Sequence, residues 1–528
     1  MQSRTAILEA LAGDQQWDLV VVGGGITGAG VLLSAARAGL KVLLVEQQDF
    51  AWGTSSRSSK MVHGGLRYLA QGDISLTRHS VQEREYLLKS LPGLVRPLEY
   101  HYVLGADTPP RIGVKLLLLG YDWLAGVANH RYLNRQAFGI ANPGFNLAHT
   151  HGAYAYYDAG TDDSRLVIRV LQEAVDQGAR CLNYCQVTQL HCEAGQVSQL
   201  ELLDQVSGQG FKLNAKVVVN ATGAWADRLR NVLNPEVRVR PQRGSHIVLP
   251  IKRLPVDHAL TLRHPDDGRY HFIFPWAGRT IVGTTDLDHR ADLDAEAHIT
   301  AEEIDYLLAS ANHFYPQARL TRDDILSTWS GVRPIIGSEN AVDPSKERRD
   351  HAVWVDGNLV TVSGGKLTTF RLIAGDVLAA IGPLIGREQV NEQTSGADWI
   401  SPVDMDPTSL YEQGAELAPQ YLARYGAHAA ALVQGALDEG RVEELLPISD
   451  TGYSLADLRW ALRHEQALTL ADVLLRHSPL GLVLPDGAES LMESLAGLFE
   501  DECGVGKTEF AKLVIAYRDT YRQSYSVS

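Results

Sequence analysis

The sequence predicts an α/β protein in three parts: a dinucleotide-binding unit on a parallel sheet, an antiparallel β domain, and a C-terminal α-helical domain. Three observations carry this. Residues 17–47 read as strand, glycine turn, helix and strand. Segments near 181–219 and 271–286 alternate apolar and polar residues, as antiparallel strands do. From about Asp398 onward, apolar residues fall at three-to-four spacing.

The first part is "WDLVVVGGGITGAGVLLSAARAGLKVLLVEQ". Leu19 to Val22 is a continuous apolar run, as in a parallel strand buried on both faces. Gly23, Gly25 and Gly28 then form GxGxxG. Such glycines serve the tight turn, the approach of backbone to a pyrophosphate and close helix packing, and the helix start offers amides to the phosphates. A second strand, Lys41 to Val45, ends in Glu46, roughly 20 residues beyond the glycines, where an acid binds a ribose hydroxyl. This pattern fits FAD and NAD equally.

Further along, "KVVVNATGAWADRL" is a buried strand running into a small-residue turn. Thr222 and Gly223 there allow close approach to a ligand. "CLNYCQVTQLHCEAGQVSQLELLD" and "GFKLNAKVVV" form a small antiparallel sheet attached to the main one, with Cys181, Cys185 and Cys192 as packing residues. "HFIFPWAGRTIVGTTD" and the strand around His246 belong to a larger antiparallel sheet. In the C-terminal part, "GVGKT" at 504–508 is not a phosphate loop, because the first glycine of GxxxxGKT falls on Asp501.

Composition narrows the function. With 528 residues, 45% hydrophobic and 21% charged, the chain is globular and long enough for about three domains. A net charge of -15 excludes nonspecific nucleic-acid binding, which needs a basic stripe. The four cysteines have no CxxC or metal-ligand spacing, so no disulfide framework and no metal site is expected. "MQSRTAILEALAGDQQWDLV" lacks the basic start and apolar core of a secretory signal, which points to the cytosol. No stretch approaches the ~18 to 20 apolar residues of a spanning helix. Residues 109–126, "PPRIGVKLLLLGYDWLAG", suit either a buried cap helix or a helix in the headgroup plane.

The residues after Glu46 distinguish the cofactors. "GTSSRSSKMVHGGLRYL" at 53–69 resembles the segment that follows the dinucleotide fold in FAD-dependent, quinone-linked glycerol-3-phosphate dehydrogenases. Further similar blocks follow in order: "YYDAGTDDSRL" at 156, "NATGAWADRL" at 220, "RGSHIVLP" at 243, "GRTIVGTTD" at 278, "WSGVRPI" at 329, "RRDH" at 348 and "SGGKLTTFR" at 363. The likeness runs from about residue 17 to 385 and continues more loosely through "RHEQALTLADVLLRHSPLGL". Departures are Arg57 within the serine run, and Ala159 and Thr161 in "DAGTDD".

The resemblance implies a Rossmann-like FAD-binding domain with an antiparallel β substrate domain of the D-amino-acid-oxidase type and a C-terminal α-helical domain. Its boundaries would be FAD-binding segments 1–80, 151–235 and 331–390, a helical cap or substrate segment at 81–150, the substrate β domain at 236–330 and the helical domain at 398–528. Thr54, Ser55, Ser59, His63 and Leu66 would run along the flavin, and Val187 against the adenine. Lys366, Leu367 and Thr368 would offer a helix start to the reduced ring. Arg67, Tyr68, Arg349 and Lys366 would bind the substrate phosphate, with His246 and Arg333 at the reacting carbon. An imidazole with a pKa of about 6.5 makes His246 the first choice of base and Arg333 its rival.

The implied reaction oxidises glycerol 3-phosphate to dihydroxyacetone phosphate, with electrons passed to a membrane quinone from the cytoplasmic membrane surface. An oxidase making hydrogen peroxide, an amine oxidiser and a noncatalytic flavin-binding sensor are the rivals. A homodimer is left open.

Overall fold

The computed structural model describes residues 1, 3–13, 16–70, 72–105, 108–337, 351–387, 399–403 and 405–527, apart from the side chain of residue 67. At its centre, strand Gln16–Val22 runs parallel to Val42–Val45 on one side and to Gly210–Asn220 on the other. Leu19, Val20 and Val21 are fully buried. A strand covered on both faces can afford no alternation, which is why this stretch reads as one apolar run. The sheet continues to Arg180–Leu182 at one edge and through Leu359–Gly364 to His351–Asp356 at the other.

Helices Ile26–Arg37, Asp163–Asp176 and Phe370–Ile381 pack together on one face of this sheet. The opposite face is covered by the hairpin Cys185–Glu193 and Gln196–Asp204 and by the N-terminal helix Arg4–Gly13. Ile7 and Leu11 of that helix, one turn apart, are both 1% exposed. Burying each contributes about 1.5–3 kcal/mol.

A second, mostly antiparallel sheet is built on Val239–Pro250, Arg279–Gly283, Tyr270–Trp276 and Ala259–Arg263. Strand Ser327–Ile336 pairs with Val239–Pro250 from Val239 to Val248. The sheet reaches well beyond the expected 236–330. Val95–Leu104 and Gly152–Thr161 extend it, joined by the short strand Met61–Val62. The segment 81–150, expected to be a helical cap or substrate segment, contributes a long strand beside its helices, because Val95, Tyr100, Tyr102 and Leu104 supply buried apolar and aromatic positions that a sheet can pack. One face of this sheet packs on the C-terminal helices and the other on helix Ala301–Phe314. That helix begins in a capping box of Thr300 and Glu303.

The C-terminal part is helical, as expected, and ends in helix Lys507–Ser524. Two expectations are corrected. By length and composition, Leu367–Ile385 would cross a membrane, with a mean hydropathy of 1.4, but half of it is buried. Phe370, Ile373, Ala374 and Val377 pack into the parallel-sheet core, so it is apolar because it is interior. Cys181 and Cys185 pack inside as expected, whereas Cys192 is exposed. Burial pushes the Cys181 and Cys185 thiols up to about 12, which leaves them unreactive near neutrality.

Candidate active site

The glycine turn opens onto a cavity of about 640 Å³. Its wall includes Gly23, Gly25, Glu46, Thr54, Ser55, Val187, Thr222, Gly223, Lys366 and Leu367. Gly23 has φ +113°, and a Cβ there would lie 2.6 Å from the Ala221 carbonyl oxygen. A Cβ on Gly28 would overlap the Gly23 carbonyl oxygen, so this glycine keeps helix Ile26–Arg37 tight on the turn without itself lining the cavity. Gly25 caps that helix with no side chain of its own, and the helix start faces the cavity. Backbone amides at a helix start suit a diphosphate.

Glu46 also lines the cavity. Its carboxylate accepts from the amides of Gly24 at 2.7 Å and Gln48 at 2.9 Å. Burial raises its pKa, against those two amides. Its remaining exposure is toward the cavity, where a ribose hydroxyl can donate to it. Ser55 Oγ accepts from the amide of Ile26 at 3.0 Å, and the Thr54 hydroxyl donates to the Val332 carbonyl. The glycine cradle, the amides and the acid together fit FAD.

Two of the expected residues, His246 and Arg333, lie on the second sheet. His246 lies opposite Trp329 in the strand pairing, and Gln242 opposite Arg333, so these side chains share one face. His246 is 1% exposed and stacks on Trp329 with ring centroids 4.8 Å apart. Its Nε2 is 2.9 Å from Ser59 Oγ. Arg333 donates to Thr284 Oγ1 at 3.0 Å and to Asp286 at 3.3 Å. Burial, then Arg333, then Lys60 hold the His246 imidazolium well below its ordinary value. The expectation of an ordinary imidazole is therefore corrected: His246 is neutral in the unliganded protein, because a buried ring beside two cations resists a third charge.

Lys366 lines the cavity and lies over the Tyr68 ring, 3.6 Å from its centroid, while its ammonium donates to Ser80 Oγ at 3.1 Å. His63 joins the same region through Thr368, whose hydroxyl accepts from the His63 amide at 3.1 Å. The Leu66 side chain packs instead among Val81, Val114, Leu118 and Tyr121, away from the cavity wall. Arg349 lies outside the described residues, as does the side chain of Arg67, which sits on helix Leu66–Ala70.

Two residues went unrecognised in the sequence. Lys60 is 2% exposed, donates to Asp163 at 2.5 Å, and stands over both Trp276 and Trp329 at 5.2 Å. Asp163 also accepts from the Ser58 amide and hydroxyl, at 2.9 and 2.7 Å. The signal was a lysine inside a serine run, and an acid in "TDDSR". Arg57 also has a reason here: it reaches Tyr525 Oη at 3.1 Å and Glu296 at 3.1 Å, tying the chain end to the serine run. Glu99, His101 and His258 lie close enough to share a metal ion. Arg131 donates to both Glu99 oxygens, at 2.7 and 2.8 Å, and His101 Nε2 is 2.8 Å from one of them, so the group reads as a charge network.

Comparisons with known proteins identify the family. The family described as FAD dependent oxidoreductase matches residues 18–380, and the C-terminal domain of alpha-glycerophosphate oxidase matches 390–509. The glycerol-3-phosphate dehydrogenase of Mycobacterium leprae is 35% identical over 98% of this chain and 90% of its own. The alpha-glycerophosphate oxidase of Enterococcus casseliflavus is 30% identical over 96% of this chain and 95% of its own. A crystal structure of the Bacillus halodurans glycerol-3-phosphate dehydrogenase complexed with FAD superposes with a TM-score of 0.80, at 26% identity, covering 99% of this chain and 98% of that one. The chain therefore belongs to the FAD-dependent glycerol-3-phosphate dehydrogenase and oxidase family, and FAD is its cofactor.

Proposed function

We propose that the protein oxidises sn-glycerol 3-phosphate to dihydroxyacetone phosphate and that its electrons leave to a membrane quinone. The single observation that carries the substrate reading is that buried His246 and half-buried Arg333 share one sheet face, close enough for the guanidinium to depress the imidazole. When bound, FAD supplies the hydride acceptor. The protein's own side chains would do the rest. Gly23, Gly25, Gly28, Glu46, Thr54, Ser55, Val187, Thr222 and Gly223 would hold the cofactor, with Ser59, His63 and the backbone from Leu66 and Lys366 to Thr368 nearer the ring.

Arg333 would hold the substrate hydroxyl or phosphate through its planar fork. Arg67, Arg349, Tyr68 and Lys366 would complete a phosphate site. His246 would accept the hydroxyl proton. A dianionic substrate beside Arg333 offsets the charge that depresses His246, so the base gains proton affinity when the substrate arrives. His246→Gln is expected to lower kcat by about 100-fold or more with FAD content unchanged; a wild-type turnover number would remove it as base.

Helix Arg111–Ala125 supports the membrane acceptor. Ile112, Leu116, Leu119 and Trp123 follow one another at helical spacing and are 65%, 61%, 46% and 79% exposed. Val114, Leu118 and Tyr121 bury the other side. An exposed apolar stripe with a tryptophan suits the cytoplasmic face of a bilayer at headgroup depth. The helix packs on Leu66–Ala70, the helix that carries Tyr68. Leu116→Glu with Trp123→Glu is expected to abolish sedimentation with phospholipid vesicles while dehydrogenation with a soluble acceptor persists. Sedimentation like wild type would contradict the lipid contact.

One relative bears the name of an oxidase, and this favours oxygen as the second reading of the acceptor. Product formation driven by a soluble quinone, without stoichiometric hydrogen peroxide, is the expected outcome. Peroxide formed one for one with dihydroxyacetone phosphate would select oxygen.

A further inference from the structure

A second cluster of charges lies wholly inside the protein, apart from the cavity. Asp49, Arg165, Glu465, Asp472, Arg476 and His477 are each 3% exposed or less. They come from three regions. Asp49 lies in the loop between Glu46 and Thr54, Arg165 on helix Asp163–Asp176, and the others in the C-terminal helical part. Arg476 Nε donates to Asp49 at 2.7 Å, and Asn183 Nδ2 donates to its other oxygen at 3.0 Å. His477 lies between two carboxylates, with Nε2 3.4 Å from Asp49 and Nδ1 2.9 Å from Glu465. Arg165 in turn donates to Glu465 at 2.8 Å. Asp472 accepts from Arg476 and, at 2.7 Å, from the Tyr184 hydroxyl.

Ionised carboxylates only accept, so an imidazole facing one with each nitrogen must donate from both. His477 is then an imidazolium, and three cations face three carboxylates. Such a network is a poor way to stabilise a fold, since well-packed apolar side chains of equal volume often do as well. What it supplies is a fixed position for the loop. That loop is anchored to the glycine turn as well, through the Ala51 amide on the Gly24 carbonyl at 3.0 Å. Arg476 and His477 sit on a π-helical turn, Val473–His477, a form found mostly at functional positions.

We propose that Arg476 and His477 are positioning residues for FAD: by holding Asp49 they fix the loop from Glu46 to Ser55 in its cofactor-binding shape, so that retention of FAD depends on the C-terminal helical part. This rests on FAD occupying the cavity beside that loop. Burial opposes the charge on His477, but Asp49 and Glu465 hold its pKa up to about 9. Its contribution is present below that pH and is lost as pH rises through it, leaving Arg165 and Arg476 to face Asp49, Glu465 and Asp472, with Tyr184 alongside.

The test follows FAD fluorescence released from the purified holoenzyme after dilution, at neutral pH and above pH 9. His477→Gln is expected to release FAD about tenfold faster at neutral pH, because one partner of a buried pair is gone. Wild-type release is expected to accelerate above a pH of about 9, and that of His477→Gln to stay flat. Arg459→Gln breaks a cluster with Glu444 and Glu502 inside the same helical part and is expected to leave release unchanged. Wild-type rates in His477→Gln would overturn the inference. If that variant does not fold, the wild-type profile decides: release that is flat through this range overturns it. Wild-type protein that purifies without FAD would instead remove the premise about the cavity.

Discussion

Gly28→Val is expected to give a protein that purifies without FAD. A methyl group at this position already overlaps the Gly23 carbonyl oxygen, and backbone cannot move aside as a flexible side chain can. Helix Ile26–Arg37 would have to lift from the turn, carrying its amides away from the cavity. The adjoining Gly23 carbonyl would move as well, although Gly23 is itself confined by Ala221. The check is the visible flavin spectrum of the purified variant together with its circular dichroism. A yellow protein with wild-type flavin content would contradict the placement of the phosphates on this helix. Loss of FAD with secondary structure retained is the result the cradle predicts.

Arg333→Ala is expected to lower kcat/KM by about 100- to 1000-fold, the scale of removing one preorganised donor from a water-poor site. The guanidinium is held by Thr284 and Asp286, so it is fixed before any substrate arrives. Two effects add. The substrate loses a charge-assisted contact. His246 loses the larger of the two cationic influences that depress it, so its pKa rises, while burial and Lys60 still hold it below the ordinary value. FAD content should not change, since Arg333 does not line the cavity. Wild-type kcat/KM in this variant would remove Arg333 from the site.

The parts of this fold that were legible in the sequence are those where local pattern and tertiary role coincide. Leu19 to Val22 is apolar throughout because parallel neighbours and helices cover both faces. The cofactor turn was legible because glycine is demanded by contacts with backbone, at Gly23 and Gly28. The extent of the antiparallel sheet was not legible: Val95–Leu104 pairs with Gly152–Thr161 and Ala259–Arg263, and such distant partners leave no local trace. The charge state of His246 was equally hidden. It depends on burial that no motif displays, and on Arg333 and Lys60, which lie far from it in the sequence. Arg57 looked like a departure from a small-residue run, yet its partners are Tyr525 at the chain's far end and Glu296.

One site, in which a small phosphate ester would lose a hydride beside His246 and Arg333, carries the proposed reaction. The most direct measurement is an anaerobic titration of the holoenzyme with sn-glycerol 3-phosphate, followed in the visible flavin band. Bleaching is expected to saturate at one substrate per flavin and to fail in Arg333→Ala at the same concentrations. A flavin band that stays unchanged in the wild-type protein, or bleaches equally in Arg333→Ala, would contradict it.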